Sequence, residues 1–229
     1  MSASREARTV RIELDDAAID GDLTLAADSS IVVFAHGSGS SRHSPRNRHV
    51  AAQLHEDGLG TLLIDLLTAA EEEVDLRTRE LRFDVALLAR RLGGATDWLS
   101  RNEETASLRT GYFGASTGAA AALIAAADRP EIGAVVSRGG RPDLAGAALA
   151  RVRAPTLLIV GGADVQVLEL NRRSLELLQA ERRLEVVAGA THLFEEPGAL
   201  DQVAHLAGDW FSRYLAAGER AARAMSRLA

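Results

Sequence analysis

Five residues, Gly114-Ala115-Ser116-Thr117-Gly118, have the form G-x-S-x-G. In the right surroundings this pattern places a serine at the tip of a strand–turn–helix elbow with its hydroxyl exposed. An apolar run from Leu108 to Phe113 precedes it, and an alanine-rich stretch from Ala119 to Ala127 follows. The turn forces its central residue into strained backbone, and the flanking glycines leave room for strand and helix. A serine hydroxyl is a weak nucleophile and needs a base. His192, in Gly189-Ala190-Thr191-His192, can take the Ser116 proton and return it to a leaving group. Asp164, in Gly161-Gly162-Ala163-Asp164, would fix the histidine tautomer and stabilise the imidazolium. A tetrahedral oxyanion needs two donors, which fall to the Thr117 N–H and to Ser38 in His36-Gly37-Ser38-Gly39-Ser40.

Each of these residues has a competing use. Asp164 could cap a helix starting near Val167, and Asp143 is a rival orienting acid. His205 falls inside a terminal helix, while His43, His49 and His55 precede or enter an early one. His36 reads as a residue that holds loop geometry, and Ser38, Ser40 and Ser41 as turn formers. The glycines here lack Walker spacing and a lysine. Glu71-Glu72-Glu73 reads as a solvated loop or helix start, so no metal site is expected. Arg42, Arg46 and Arg48 follow the oxyanion loop, and Arg138 and Arg141 follow the strand after the elbow helix. Arginines so placed commonly make internal ion pairs. Those at a strand's carboxyl end can instead grip a substrate carboxylate or phosphate, which makes Arg138, Arg141 and Arg42 candidate substrate-binding residues.

The elements that must position these groups alternate along the chain. Strands are expected at Thr9–Leu14, Asp22–Leu25, Ile31–Ala35, Thr61–Leu66, Leu108–Phe113, Ala134–Ser137, Thr156–Val160 and Leu184–Val187. Helices are expected at Arg48–Glu56, Glu80–Leu92 with further turns to Ser100, Ala119–Ala127, Val167–Ala180 and Ala199 to about Ala217. Alternation of this kind implies βαβ units and a mostly parallel sheet of about eight strands with helices on both faces. Ligands of such sheets bind beyond the carboxyl ends of the strands, where the candidate residues fall. One domain over residues 1–229 is expected, with peripheral termini at 1–8 and 218–229.

Bulk composition narrows the chemistry. A formal charge of −6 and a pI near 5.6 argue against a nucleic-acid partner. No apolar run is long enough for a membrane span, and Met1–Arg8 lacks the apolar core of a secretory signal, so a cytoplasmic location is expected. The chain has no cysteine and no lysine. That removes thiolate and Schiff-base chemistry, and covalent catalysis would fall to a hydroxyl or a carboxylate. No cofactor is called for. Arginine-only basic usage with abundant alanine points to a GC-rich bacterial genome.

The order Ser, Asp, His is that of the α/β-hydrolase triad. With it, the chain resembles compact α/β hydrolases of the dienelactone-hydrolase-like group, from about residue 9 to 217. The segments HGSGSSRHSPRN (36–47) and SRGGRP (137–142) are similar to those of hydrolase domains that occur alone or fused to phosphoribosyltransferases. Dienelactone hydrolase itself uses a cysteine nucleophile where this chain has Ser116, so its lactone substrate is not carried over. The resemblance implies an α/β-hydrolase fold and a serine hydrolase acting on small soluble carboxylic esters or lactones through an acyl-serine. The interval of about 48 residues from Ser116 to Asp164 leaves no room there for a large lid domain. Two other readings stay open: acyl transfer to an alcohol or peroxide on the same triad, and a non-catalytic ligand-binding module. The sequence does not fix the oligomeric state.

Overall fold

The computed structural model describes residues 7–26 and 30–215; the expected peripheral segment 218–229 and the first six residues of the segment 1–8 lie outside them. Eight strands form one sheet in the order β1-β2-β4-β3-β5-β6-β7-β8. β1 (Arg8–Glu13) and β2 (Ala18–Thr24) form an antiparallel edge, and β2 also runs antiparallel to β4 (Gly60–Ile64). β3 (Ser30–Ala35), β5 (Arg109–Ala115), β6 (Ala134–Arg138), β7 (Thr156–Gly161) and β8 (Arg182–Val187) continue the sheet in parallel. This is the mostly parallel, eight-stranded α/β-hydrolase architecture, with no large lid domain among the described residues.

The central strands are continuous apolar runs because both faces are covered. In β3, Ile31, Val33 and Ala35 face one core, and Val32 and Phe34 face the other. The first core is closed by α3 (Val85–Arg101) and α4 (Thr117–Ala127), the second by α1 (Pro45–Glu56) and α6 (Ala199–Leu215). Phe34 and Phe113 anchor the second, with ring centroids 4.8 Å apart. In α4, Ala119 to Ala122 are fully buried, and their small side chains let the helix backbone lie close on the sheet.

Several boundaries differ from the sequence expectation. β2 begins at Ala18 rather than Asp22, because the turn after β1 is short and Glu13 pairs with Ala18. β4 ends at Ile64, and the next residue, Asp65, turns its N–H to the Asp20 carbonyl. α1 starts at Pro45, with Ser44 accepting from the Asn47 N–H. The expected helix from Glu80 is split. A 3-10 turn at Leu81–Phe83 comes first, and α3 starts at Val85 with Asp84 as its cap. Before that turn lies α2 (Ala69–Thr78), opened by a reciprocal capping box between Thr68 and Glu71. The acidic run is therefore a helix start. α5 (Val165–Leu177) begins two residues early and ends three early, and a 3-10 segment spans Pro142–Arg151.

Candidate active site

The elbow is built from backbone proximity. Ser116 has φ 51° and ψ −119°, a conformation that costs a non-glycine residue strain. Its N–H donates to the Arg138 carbonyl at 3.2 Å, and its own carbonyl accepts from the Arg141 N–H at 3.1 Å. A Cβ on Gly114 would lie 2.4 Å from the Ala119 Cα, and one on Gly118 would lie 2.3 Å from the Ala35 carbonyl oxygen. Only glycine fits at either position. Thr117 is the first residue of α4, where backbone N–H groups lack intrahelical acceptors and attract negative charge.

The loop expected to hold the oxyanion leaves β3 at His36 and passes close to Ser116 at Gly37. A Cβ on Gly37 would sit 3.2 Å from the Ser116 Cβ. A turn from the Ser40 N–H to the Gly37 carbonyl carries Ser38 at its exposed crest. His36 is buried and holds the loop from below. Its Nδ1–H donates to the Gly37 carbonyl at 2.9 Å, while Nε2 accepts from the Leu66 N–H at 3.1 Å. Burial, opposed by the Gly37 hydrogen bond and by Asp65, pushes this imidazole below its usual value and keeps it neutral. That is the loop-holding part expected of it.

At the ends of β7 and β8 the histidine meets its acid. His192 Nδ1 lies 2.7 Å from Asp164 Oδ2. A carboxylate only accepts, so the ring presents a proton on Nδ1 to Asp164 and turns Nε2 away from it. Asp164 does occupy the residue before α5, yet its side chain makes no capping bond. The rival acid, Asp143, is taken up by Arg141 in a two-pronged pair at 2.8 and 2.7 Å. Gly139, with φ 51°, tucks β6 under the histidine loop: a Cβ there would stand 3.1 Å from the His192 carbonyl and 3.6 Å from its Cε1. Phe194, buried and at φ 57°, presses its ring on the same point. Gly139 was visible in the RGGRP run; nothing in the sequence marks Phe194 for its left-handed backbone.

The structure thus joins Asp164 to His192, and brings Thr117 and Gly37, the residue before Ser38, next to Ser116. The remaining histidines are engaged elsewhere, His49 with Asp201 at 2.7 Å and His55 with Thr61 at 2.7 Å. Of the three candidate substrate-binding arginines, Arg42 pairs with Asp65 and with Asp22, and Arg141 with Asp143. Arg138 is buried at the end of β6 with no hydrogen bond to its Nε or Nη1. A cavity of about 110 Å3 opens beside the oxyanion loop, lined by His36, Ser38, Leu67, Leu76, Arg82 and Leu88. No group of acidic and histidine residues among those described could hold a metal ion. No described helix is long and apolar enough to cross a membrane.

The model of the dienelactone hydrolase family matches residues 24–226. The chain belongs to the dienelactone hydrolase family. A dienelactone hydrolase from Anabaena variabilis is 59% identical over 92% of this chain and 98% of its own, with a TM-score of 0.90. Est1E from Butyrivibrio proteoclasticus is only 14% identical but shares the fold, with a TM-score of 0.75 over 91% of this chain and 99% of its own. A Mycobacterium tuberculosis protein, provisionally named a phosphoribosyl transferase, is 63% identical over 186 residues. The match covers 81% of this chain but 41% of that relative, so the chain spans about half the length of the curated relative it matches. Family and structural neighbours support a hydrolase function.

Proposed function

We propose that this chain is a serine hydrolase of small carboxylic esters or lactones, working through an acyl-serine on Ser116, His192 and Asp164 as one hydrolase unit. The observation that carries the reading is the use of Asp164: it stands where a helix cap belongs, yet spends its carboxylate on His192 Nδ1. A strained serine on a glycine-framed turn at the neighbouring strand end supports it.

The chemistry follows from these placements. Ser116 Oγ bonds to the acyl carbon as its proton passes to His192 Nε2, and the carbonyl electron pair moves onto oxygen. The Thr117 N–H and an N–H of the Ser38 turn take up that negative charge; one such donor is worth about 10²–10³ in rate. The electron pair returns, the C–O bond to the leaving group breaks, and His192 gives that oxygen its proton. Water then repeats the sequence on the acyl-serine, releasing the acid and restoring Ser116. Asp164 faces the imidazolium at each charged stage.

A Ser116→Ala protein is expected to lose about 10³-fold or more in kcat on p-nitrophenyl acetate and to resist labelling by a fluorophosphonate. Full-rate turnover by Ser116→Ala would remove the mechanism.

A further inference from the structure

The cavity beside the loop after β3 lies on a definite flank of Ser116. β5 leads into Ser116, with β6, β7 and β8 on one side of it and β3 and β4 on the other. Asp164 and His192 stand beyond the ends of β7 and β8. The cavity stands on the opposite flank, between the loop after β3 and the excursion from α2 to the 3-10 turn, with Leu67 from the segment after β4 in its wall. Gly37 joins it to Ser116: the residue lines the cavity, and a Cβ there would lie 3.2 Å from the Ser116 Cβ.

The flank decides which part of an ester the cavity can receive. In the proposed reaction the imidazole that takes the Ser116 proton also hands it to the leaving oxygen, so the leaving group points toward His192. The acyl chain, the other substituent on the carbonyl carbon, then points away from β8 and toward β3 and β4. The walls decide what kind of chain fits. Leu67, Leu76 and Leu88 give the cavity apolar sides. Asp65 and Asp75 in its wall are already matched, with Arg42 and Arg82. Arg82 in turn rests on the loop, since a Cβ on Gly39 would lie 3.1 Å from its Nη1. Glu72, also in the wall, forms no ion pair among the described residues and leaves a negative charge there. Such a lining accepts hydrocarbon and repels an anion. A volume of about 110 Å3, against the roughly 150 Å3 of an apolar cavity that takes up benzene, limits the guest to about four carbons.

We infer that this cavity is the acyl pocket of the Ser116 centre, that it takes a short uncharged chain such as a butyryl group, and that Leu76 and Leu67 set the length it accepts. The inference rests on the serine-hydrolase reading for the reaction, and on the cavity alone for the binding. The kinetic arm measures kcat/KM on p-nitrophenyl acetate, butyrate, hexanoate and hemisuccinate. Butyrate is expected to exceed both hexanoate and hemisuccinate by about tenfold or more. Leu76 is 69% exposed, so a larger or a smaller side chain can stand there without disturbing the core. Leu76→Trp is expected to lower the butyrate-to-acetate ratio about tenfold, and Leu76→Ala to raise the hexanoate-to-butyrate ratio about as much. Leu67→Phe closes the pocket from another side and should repeat the Leu76→Trp result. The binding arm uses Ser116→Ala protein and reads saturation transfer to the methyl protons of butyramide, which is expected to vanish in Ser116→Ala/Leu76→Trp. A flat chain-length profile, or ratios that ignore both Leu76 and Leu67, would overturn the pocket and leave the reaction standing. Full turnover by Ser116→Ala would instead overturn the hydrolase reading. Butyramide transfer then decides the pocket by itself: its loss with Leu76→Trp upholds the pocket, and equal transfer in both proteins overturns it.

Discussion

At the elbow, Gly114 and Gly118 let β5, α4 and the end of β3 meet backbone to backbone, and no side-chain hydrogen bond is involved. Across the oxyanion loop, the excursion from α2 to the 3-10 turn is held by charge instead. Buried Asp75 accepts from the Arg82 backbone N–H at 3.0 Å and from Arg82 Nε at 2.5 Å. Arg91, buried in α3, reaches Glu71 at 2.7 Å and Asp16 as well. Val74, Leu76 and Phe83 remain exposed on this excursion, whereas Ala119 to Ala122 in α4 are fully buried. Close packing has one solution and no slack, because interiors are dense and a misplaced methyl has nowhere to go. Ion pairs on a partly exposed excursion can open and re-form with little of the core disturbed. Ser116 thus stands on the stiff side of the loop after β3, and one wall of the adjoining cavity on the side built to give.

Three substitutions test that contrast. Gly118→Ala puts a methyl 2.3 Å from the Ala35 carbonyl oxygen, where backbone must shift. A loss of more than about 3 kcal/mol is expected in denaturant unfolding, with activity lost as well. A loss below about 1 kcal/mol would show that the elbow has slack after all. Asp75→Asn comes next in size. Amide exchange across residues 69–84 is expected to speed up about tenfold or more, with β5 and α4 unchanged. Equal acceleration in both regions would mean that they open as one unit.

The smallest effect is expected at His36, which ties the loop to the residues after β4. Its folded-state value is lowered from 6.5, so the unfolded chain binds a proton first as pH falls. The stability due to neutral His36 is full above about 6.5 and is lost progressively as pH falls below it toward the folded value. His36→Gln should flatten this part of the stability–pH curve measured by urea titration. An identical slope in both proteins would show that the ring is not held neutral.

The sequence made the elbow readable because its demands are local. Two glycines, a strand and a small-residue helix are written within about twenty residues, and every parallel strand was announced by its apolar run. Asp164 and His192 were readable as chain-order candidates, with a helix cap as the competing use of Asp164, and the 2.7 Å contact across 28 residues separates the two. α2 was seen only as an acidic start because its faces are mixed and its support comes from distant partners such as Arg91. The split before α3 was hidden because Leu81 keeps the helical spacing while Asp84 caps the true start. The partnering of the arginines was beyond reach from sequence. Arg138 and Arg141 look alike three residues apart, yet Arg141 turns to Asp143 two residues on, while Arg138 faces no carboxylate among the described residues.

The frame around residue 116 also bears on how such a site can drift over generations. Gly114 and Gly118 are judged against fixed backbone neighbours, so selection removes almost any change there regardless of the reaction performed. The side chain of residue 116 makes no capping bond to α4. An exchange of oxygen for sulfur at that one side chain would leave the close approaches at Gly114 and Gly118 as they are. Lineages built on this turn can therefore change the side chain at its tip while inheriting an unaltered scaffold.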